Sequence, residues 1–109
     1  MKLIGMLDSP FVRRVAISAK LLDLPFEHES ISVFRHVEQF RRVNPVVKAP
    51  TLVTDGGATL IDSSLIVDYL DHLAAPERRL LPDAVDARLR ALVPIGFALA
   101  AAEKTVQVV

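Results

Sequence analysis

The chain has 109 residues, 51% of them hydrophobic, and its 13 basic and 13 acidic side chains give a formal charge of zero at pH 7. That composition fits one small globular domain with an appendage and excludes a disordered tail, while the balanced charge argues against a nucleic-acid or other polyanion partner. Cysteine is absent, which removes disulfides, thiolate metal sites and any protein thiol from the chemistry and fits a reducing cytoplasm. Residues 1–50 carry a net +3 and residues 51–109 a net −3; solvated helix faces account for most of the basic excess.

Residues 2–7, KLIGML, form a short apolar stretch expected of a strand buried on both faces, and too short for the apolar core of a signal peptide. From Pro10 the period changes. Val12, Val15, Ala16, Ala19 and Leu22 recur at helical spacing, and Asp23 to Pro25 ends that helix. Phe26 to Ser32 reads as a second strand, parallel to the first because a helix joins them. Val33, Val37 and Phe40, with Glu38, Arg41 and Arg42 between them, predict a second amphipathic helix closed at Val43 to Pro45. Two short runs then flank Asp55-Gly56-Gly57, a hairpin signal because tight turns need residues that tolerate positive φ. Behind Asp62, Ser63 and Ser64, a third helix is predicted with Ile66, Tyr69, Leu70 and Leu73 on one face. The fold class is α/β, with a βαβαββα order and a four-stranded mixed sheet covered by helices.

After a linker at 77–84, residues 85–109 predict a fourth helix that is apolar on nearly every side and therefore needs burial. Its longest apolar run, Ala91 to Ala102, contains Pro94 and Gly96 and falls short of the roughly 20 residues that cross a bilayer. No membrane partner is expected. The helix reaches Val109 without a Gly, Asn or Pro stop, so the expectation is a chain cut inside a second helical unit. That helix then packs into the unit, or two copies exchange or associate through 85–109.

Three places carry candidate chemistry, each beside a structural explanation. Ser9 before Pro10 is a helix cap, or its hydroxyl and the helix's positive end together stabilise an anion. Pro50 in KAPTLV opens a strand with a trans bond, or a cis bond turns the main-chain N–H and C=O of Ala49 toward a peptide ligand. Asp62, Ser63 and Ser64 cap a helix, or the helix amides with a seryl hydroxyl take a carboxylate while Asp62 takes an ammonium.

Together, in this order, SPFVRRV, NPVVKAPTL and LIDSSLIVDYL resemble the thioredoxin-like domain of the glutathione transferases over residues 1–82. The resemblance implies that Ser9 donates a hydrogen bond to the sulfur of glutathione, the co-substrate, and that Phe11 is among the glutathione-binding residues. It further implies that Ala49 pairs with the cysteinyl unit beside a cis Pro50, and that Asp62 and Ser63 hold the γ-glutamyl end. Lys48 and either His36 or a neighbouring arginine would meet the glycyl carboxylate. His28 and His72 are read as surface or structural. The domains implied are 1–76 for glutathione, 77–84 as linker and 85–109 as the first helix of an incomplete all-helical domain. Implied partners are glutathione and a small electrophile, in a cytoplasmic homodimer, with the 109-residue chain alone inactive because the electrophile's pocket is lined largely by the second domain. Val47 stands where the family commonly has glycine, and Asp62 where it commonly has glutamate. Without cysteine the chain is not of the thiol-transfer type, and its single tyrosine, Tyr69, lies in a helix. The competing function is a non-catalytic protein-binding module resembling the stringent starvation protein; the trio Ser9, Pro50 and Asp62-Ser63 favours the enzyme.

Overall fold

The computed structural model describes residues 1–32, 36–44 and 48–108. Its strands are β1 (Lys2–Ile4), β2 (Glu27–Glu29), β3 (Thr51–Val53) and β4 (Thr59–Ile61); its helices are α1 (Pro10–Leu21), α2 (Val37–Val43), α3 (Ser63–Leu73) and α4 (Val85–Val108). A short 3-10 turn at Pro76–Arg78 lies between the last two helices. The sheet runs β2-β1-β3-β4, with β2 parallel to β1 and the other pairs antiparallel. This is the predicted element order and the predicted mixed sheet.

Alternation along the strands builds two unequal cores. Leu3 on β1 and its cross-strand partner Leu52 on β3 face α1 and α3, where Val12, Val15, Ala19, Leu22, Ile66 and Leu70 close over them. Ile4 and Val53 point the other way and meet Ile31 and Ala49. Helix α1 forms because Pro10 begins it where no backbone N–H is needed, and because its apolar spacing of three and four presents one stripe to the sheet. It stops at Leu22, after which Asp23 adopts φ +58°.

Several elements differ from their predicted extent. β1 stops before Gly5, whose φ is +141°; a Cβ there would sit 2.7 Å from Val12 Cγ2 and 3.2 Å from Ala49 Cβ. Glycine thus lets the strand's end lie against both the first helix and the Pro50 loop. Because β1 pairs over only three residues, β2 is limited to Glu27–Glu29 instead of running from Phe26 to Ser32. The second helix starts at Val37; Val33, placed on it by periodicity, lies outside the described residues, as do Pro45 and Val47. On α3 the buried stripe is Ile66, Val67 and Leu70, continued by Ala74, whereas Leu73 in the last turn is 49% exposed. α4 is a single helix with Pro94 inside it. The burial expected on nearly every side is found on one side only: Ala87, Ala91, Ile95, Leu99 and Ala102 are half-buried, whereas Val85, Leu89, Val93 and Phe97 are exposed. Among the described residues, no helix is long and apolar enough to cross a membrane.

Candidate functional site

The site is built at the head of α1, the loop before β3 and the head of α3. Ser9 has extended backbone angles (φ −74°, ψ 127°), and its Oγ accepts the amide N–H groups of Phe11 at 3.2 Å and Val12 at 3.3 Å. Both hydroxyl lone pairs are engaged by α1, so the remaining valence, the O–H proton, is left to donate outward. The cap and the free donor are the same group. The two explanations offered for Ser9 are therefore compatible.

The Ala49–Pro50 peptide bond is cis, and Pro50 is buried. A buried network holds this loop: the Thr51 hydroxyl donates to the Lys48 carbonyl and accepts from the Asn44 side-chain amide at 3.3 Å. Among the described residues nothing hydrogen-bonds the main-chain N–H or C=O of Ala49.

Asp62 caps α3 with φ +76°, a region that costs a non-glycine residue strain and that recurs at functional sites. Its Oδ1 accepts from the Ser64 N–H at 2.8 Å, and its Oδ2 lies 3.9 Å from Lys48 Nζ. Ser63 is buried. Arg14 reaches over from α1, donating from Nη1 to Ser63 Oγ at 3.1 Å and to Ser64 Oγ at 2.9 Å. Burial pushes the Arg14 guanidinium below its usual pKa, and the nearby Asp62 charge works in the opposite direction. Since an arginine donates to the seryl oxygens, their own protons are left free to donate.

Six of the residues nominated from sequence, Phe11, Lys48, Ala49, Pro50, Asp62 and Ser63, line one cleft of 430 Å³. Ser64 joins them, together with Leu99 and Glu103 from α4. Ser9 does not line that cleft directly; it stands two residues before Phe11 at the same helix head. The structure does not bring His36 there either. Its Nδ1 accepts from the Ser32 N–H at 3.1 Å, and the ring is exposed. A wider hollow of 560 Å³ at the other end of the sheet is lined by Met1, Lys2, Phe26 and Asp55 among others. No nominated residue lies there. His28 Nε2 bonds the Gly5 carbonyl at 2.7 Å and His72 Nδ1 the Asp68 carbonyl at 2.9 Å, which are structural roles.

Sequence reasoning missed Arg14, Leu99 and Glu103. Arg14 is separated from its seryl partners by 49 and 50 residues, and the two α4 residues reach the cleft only because that helix runs back over it. No local pattern marks any of them.

A family model described as the N-terminal domain of glutathione S-transferase matches residues 3–78. A probable maleylacetoacetate isomerase 2 of Drosophila melanogaster is 37% identical over 89 residues, covering 75% of this chain and 38% of its own length. Glutathione S-transferase U4 of Arabidopsis thaliana is 32% identical over 72 residues, covering 66% of this chain and 32% of its own. The chain thus spans well under half of either relative. Among solved structures, a glutathione S-transferase from Methylobacillus flagellatus kt with glutathione bound superposes with a TM-score of 0.71 at 30% identity, covering 81% of this chain and 43% of that one. A maleyl pyruvate isomerase described as a bacterial glutathione S-transferase of the Zeta class gives 0.72 at 29% identity, covering 83% and 43%. The four-stranded sheet with its helices is the thioredoxin-like fold of these proteins.

Proposed function

This chain belongs to the glutathione S-transferase family, and from that premise we propose that its cleft binds glutathione and holds the tripeptide's sulfur as a thiolate for attack on an electrophilic substrate. The observation that carries this reading is the state of Ser9: its lone pairs are held by two amides of α1, and its proton is left to donate. Lowering a thiol from a pKa of about 8.5 by two units takes roughly 2.7 kcal/mol. A hydrogen bond to a charged group contributes about 1.5–3 kcal/mol. The positive end of α1 adds about 0.3–1 kcal/mol. Ser9 and its helix therefore suffice without a cationic side chain, and the serine is a donor, not a nucleophile.

The other residues position the tripeptide. Ala49, whose main-chain groups are unpaired among the described residues, offers them to the cysteinyl unit as one strand offers them to another. Ser63 and the first amides of α3 take the γ-glutamyl carboxylate, with Asp62 beside them for the ammonium. Phe11 and Pro50 form walls, and Lys48 and His36 are assigned to the glycyl carboxylate; His36 has to leave Ser32 to reach it. Residues 1–76 act as the glutathione-binding domain, 77–84 as linker and 85–109 as the start of an all-helical domain, in a cytoplasmic homodimer.

A second reading, glutathione-dependent isomerisation, is supported by the 37% identity to the probable maleylacetoacetate isomerase. Conjugation and isomerisation need the same activated sulfur, so the role of Ser9 is common to both. Glutathione titrated into the isotopically labelled chain tests the shared step. The amides of Ser9, Ala49 and Ser63 shift while those of the Asp55–Gly57 turn stay; a cleft whose amides do not move defeats the proposal.

A further inference from the structure

Asp71 lies near the end of α3 that points away from the cleft, and it is only 4% exposed. Its Oδ1 accepts the backbone N–H of Leu80 at 2.6 Å. Among the described residues, this is the hydrogen bond that ties segment 79–84 to the rest of the fold. The other bonds of that segment are local: Arg79 N–H to the Pro76 carbonyl, Arg88 Nη1 to the Pro82 carbonyl at 3.5 Å, and Arg88 N–H to the Ala84 carbonyl. Arg79, next to Leu80, keeps its Nε buried with no hydrogen-bond partner among the described residues and so adds no such anchor.

We infer that Asp71 is a positioning residue: by fixing Leu80 it sets the direction in which α4 leaves the body, and so where Leu99 and Glu103 stand as the far wall of the cleft. The geometry makes this contact a fulcrum. α3 runs from the cleft at Ser63 to Asp71, the chain turns at Leu80, and α4 runs back until Leu99 and Glu103 line the same cleft. From Val85 to Glu103 the helix spans about 27 Å at 1.5 Å per residue, so a tilt of about 10° at its base moves Glu103 by about 5 Å. α4 meets the body along one half-buried stripe, Ala87, Ala91, Ile95, Leu99 and Ala102, and exposes Leu89, Val93 and Phe97 on the other side, so that stripe and the bond at Leu80 together hold its tilt. Only the consequence for ligand binding rests on the proposed function; the geometry of the wall does not.

The absence of cysteine allows a clean distance measurement. Spin labels at Thr59→Cys on β4 and Ala100→Cys on α4, both exposed positions, report the distance between the body and the helix by pulsed electron resonance. The parent chain gives one narrow distribution, Asp71→Ala widens it or shifts its mean by several ångströms, and Asp71→Asn, which keeps an acceptor oxygen, restores the parent's distribution. An unchanged distribution in folded Asp71→Ala overturns the inference, and so does a widening in Asp71→Asn equal to that in Asp71→Ala. Should Asp71→Ala not fold, Leu80→Pro deletes the donor instead, with the same widening expected and the same invariance as refutation. A glutathione titration of the labelled parent separates the two proposals: no binding removes the proposed function and leaves the distance result standing.

Discussion

Replacing Ser9 separates the cap it forms on α1 from the donor role proposed for the same hydroxyl. Ser9→Ala removes the acceptor for the amides of Phe11 and Val12 and also the outward proton. Loss of an N-cap to alanine costs about 1 kcal/mol, whereas glycine at the same position costs only a few tenths. For a small domain, 1 kcal/mol lowers the melting temperature by about 4–8 °C. Neither variant has a donor for the sulfur, and a lost hydrogen bond of about 1.5–3 kcal/mol corresponds to a rise of roughly one to two units in the pKa of bound glutathione. The assay is an ultraviolet titration of the thiolate in complexes of the parent, Ser9→Ala and Ser9→Gly, with thermal melts in parallel. The expected pattern is an equal rise in thiol pKa for both variants, with a clear loss of stability in Ser9→Ala alone. A thiol pKa that stays at the parent value in both, while the melts shift, refutes the donor role and leaves only the cap.

Other outcomes follow from the same geometry. Ser63→Ala weakens glutathione binding by roughly 10- to 100-fold, the equivalent of one charge-assisted hydrogen bond; equal retention on immobilised glutathione contradicts its place at the γ-glutamyl end. Arg14→Met frees two seryl oxygens, each bond being worth about 1 kcal/mol, so amide exchange at Ser63 and Ser64 accelerates; unchanged exchange counts against the bridge from α1. Gly5→Ala forces a Cβ to within 2.7 Å of Val12 Cγ2 at φ +141° and destabilises the chain by about 1–3 kcal/mol in urea unfolding; a neutral effect contradicts the close approach.

Local rules were sufficient where the physics is local. Ser9-Pro10 marks a helix start because the cap and the missing N–H both act within one turn, and Asp55-Gly56-Gly57 marks a hairpin because positive φ is needed there, as Gly57 at +91° shows. The stripe Val12, Val15, Ala19, Leu22 is buried as its spacing requires. Longer-range constraints were not legible. The length of β2 is set by where β1 stops, which depends on Gly5 meeting Val12 and Ala49. On α3, Val67 is buried in place of Leu73, because spacing alone leaves the edge of a helical stripe open by one position. At the site, motif order nominated six cleft residues. The bridge from Arg14 to Ser63 and Ser64, the approach of Leu99 and Glu103, and the hold of Ser32 on His36 are tertiary facts without a sequence pattern.

In the proposed function a hydroxyl at a helix head, not a cation or a protein thiol, keeps the ligand's sulfur ionised. Crystals of the chain soaked in glutathione decide it. The sulfur is expected within hydrogen-bonding reach of Ser9 Oγ, with the cysteinyl main chain on Ala49. Density for the tripeptide with its sulfur turned away from Ser9 contradicts it.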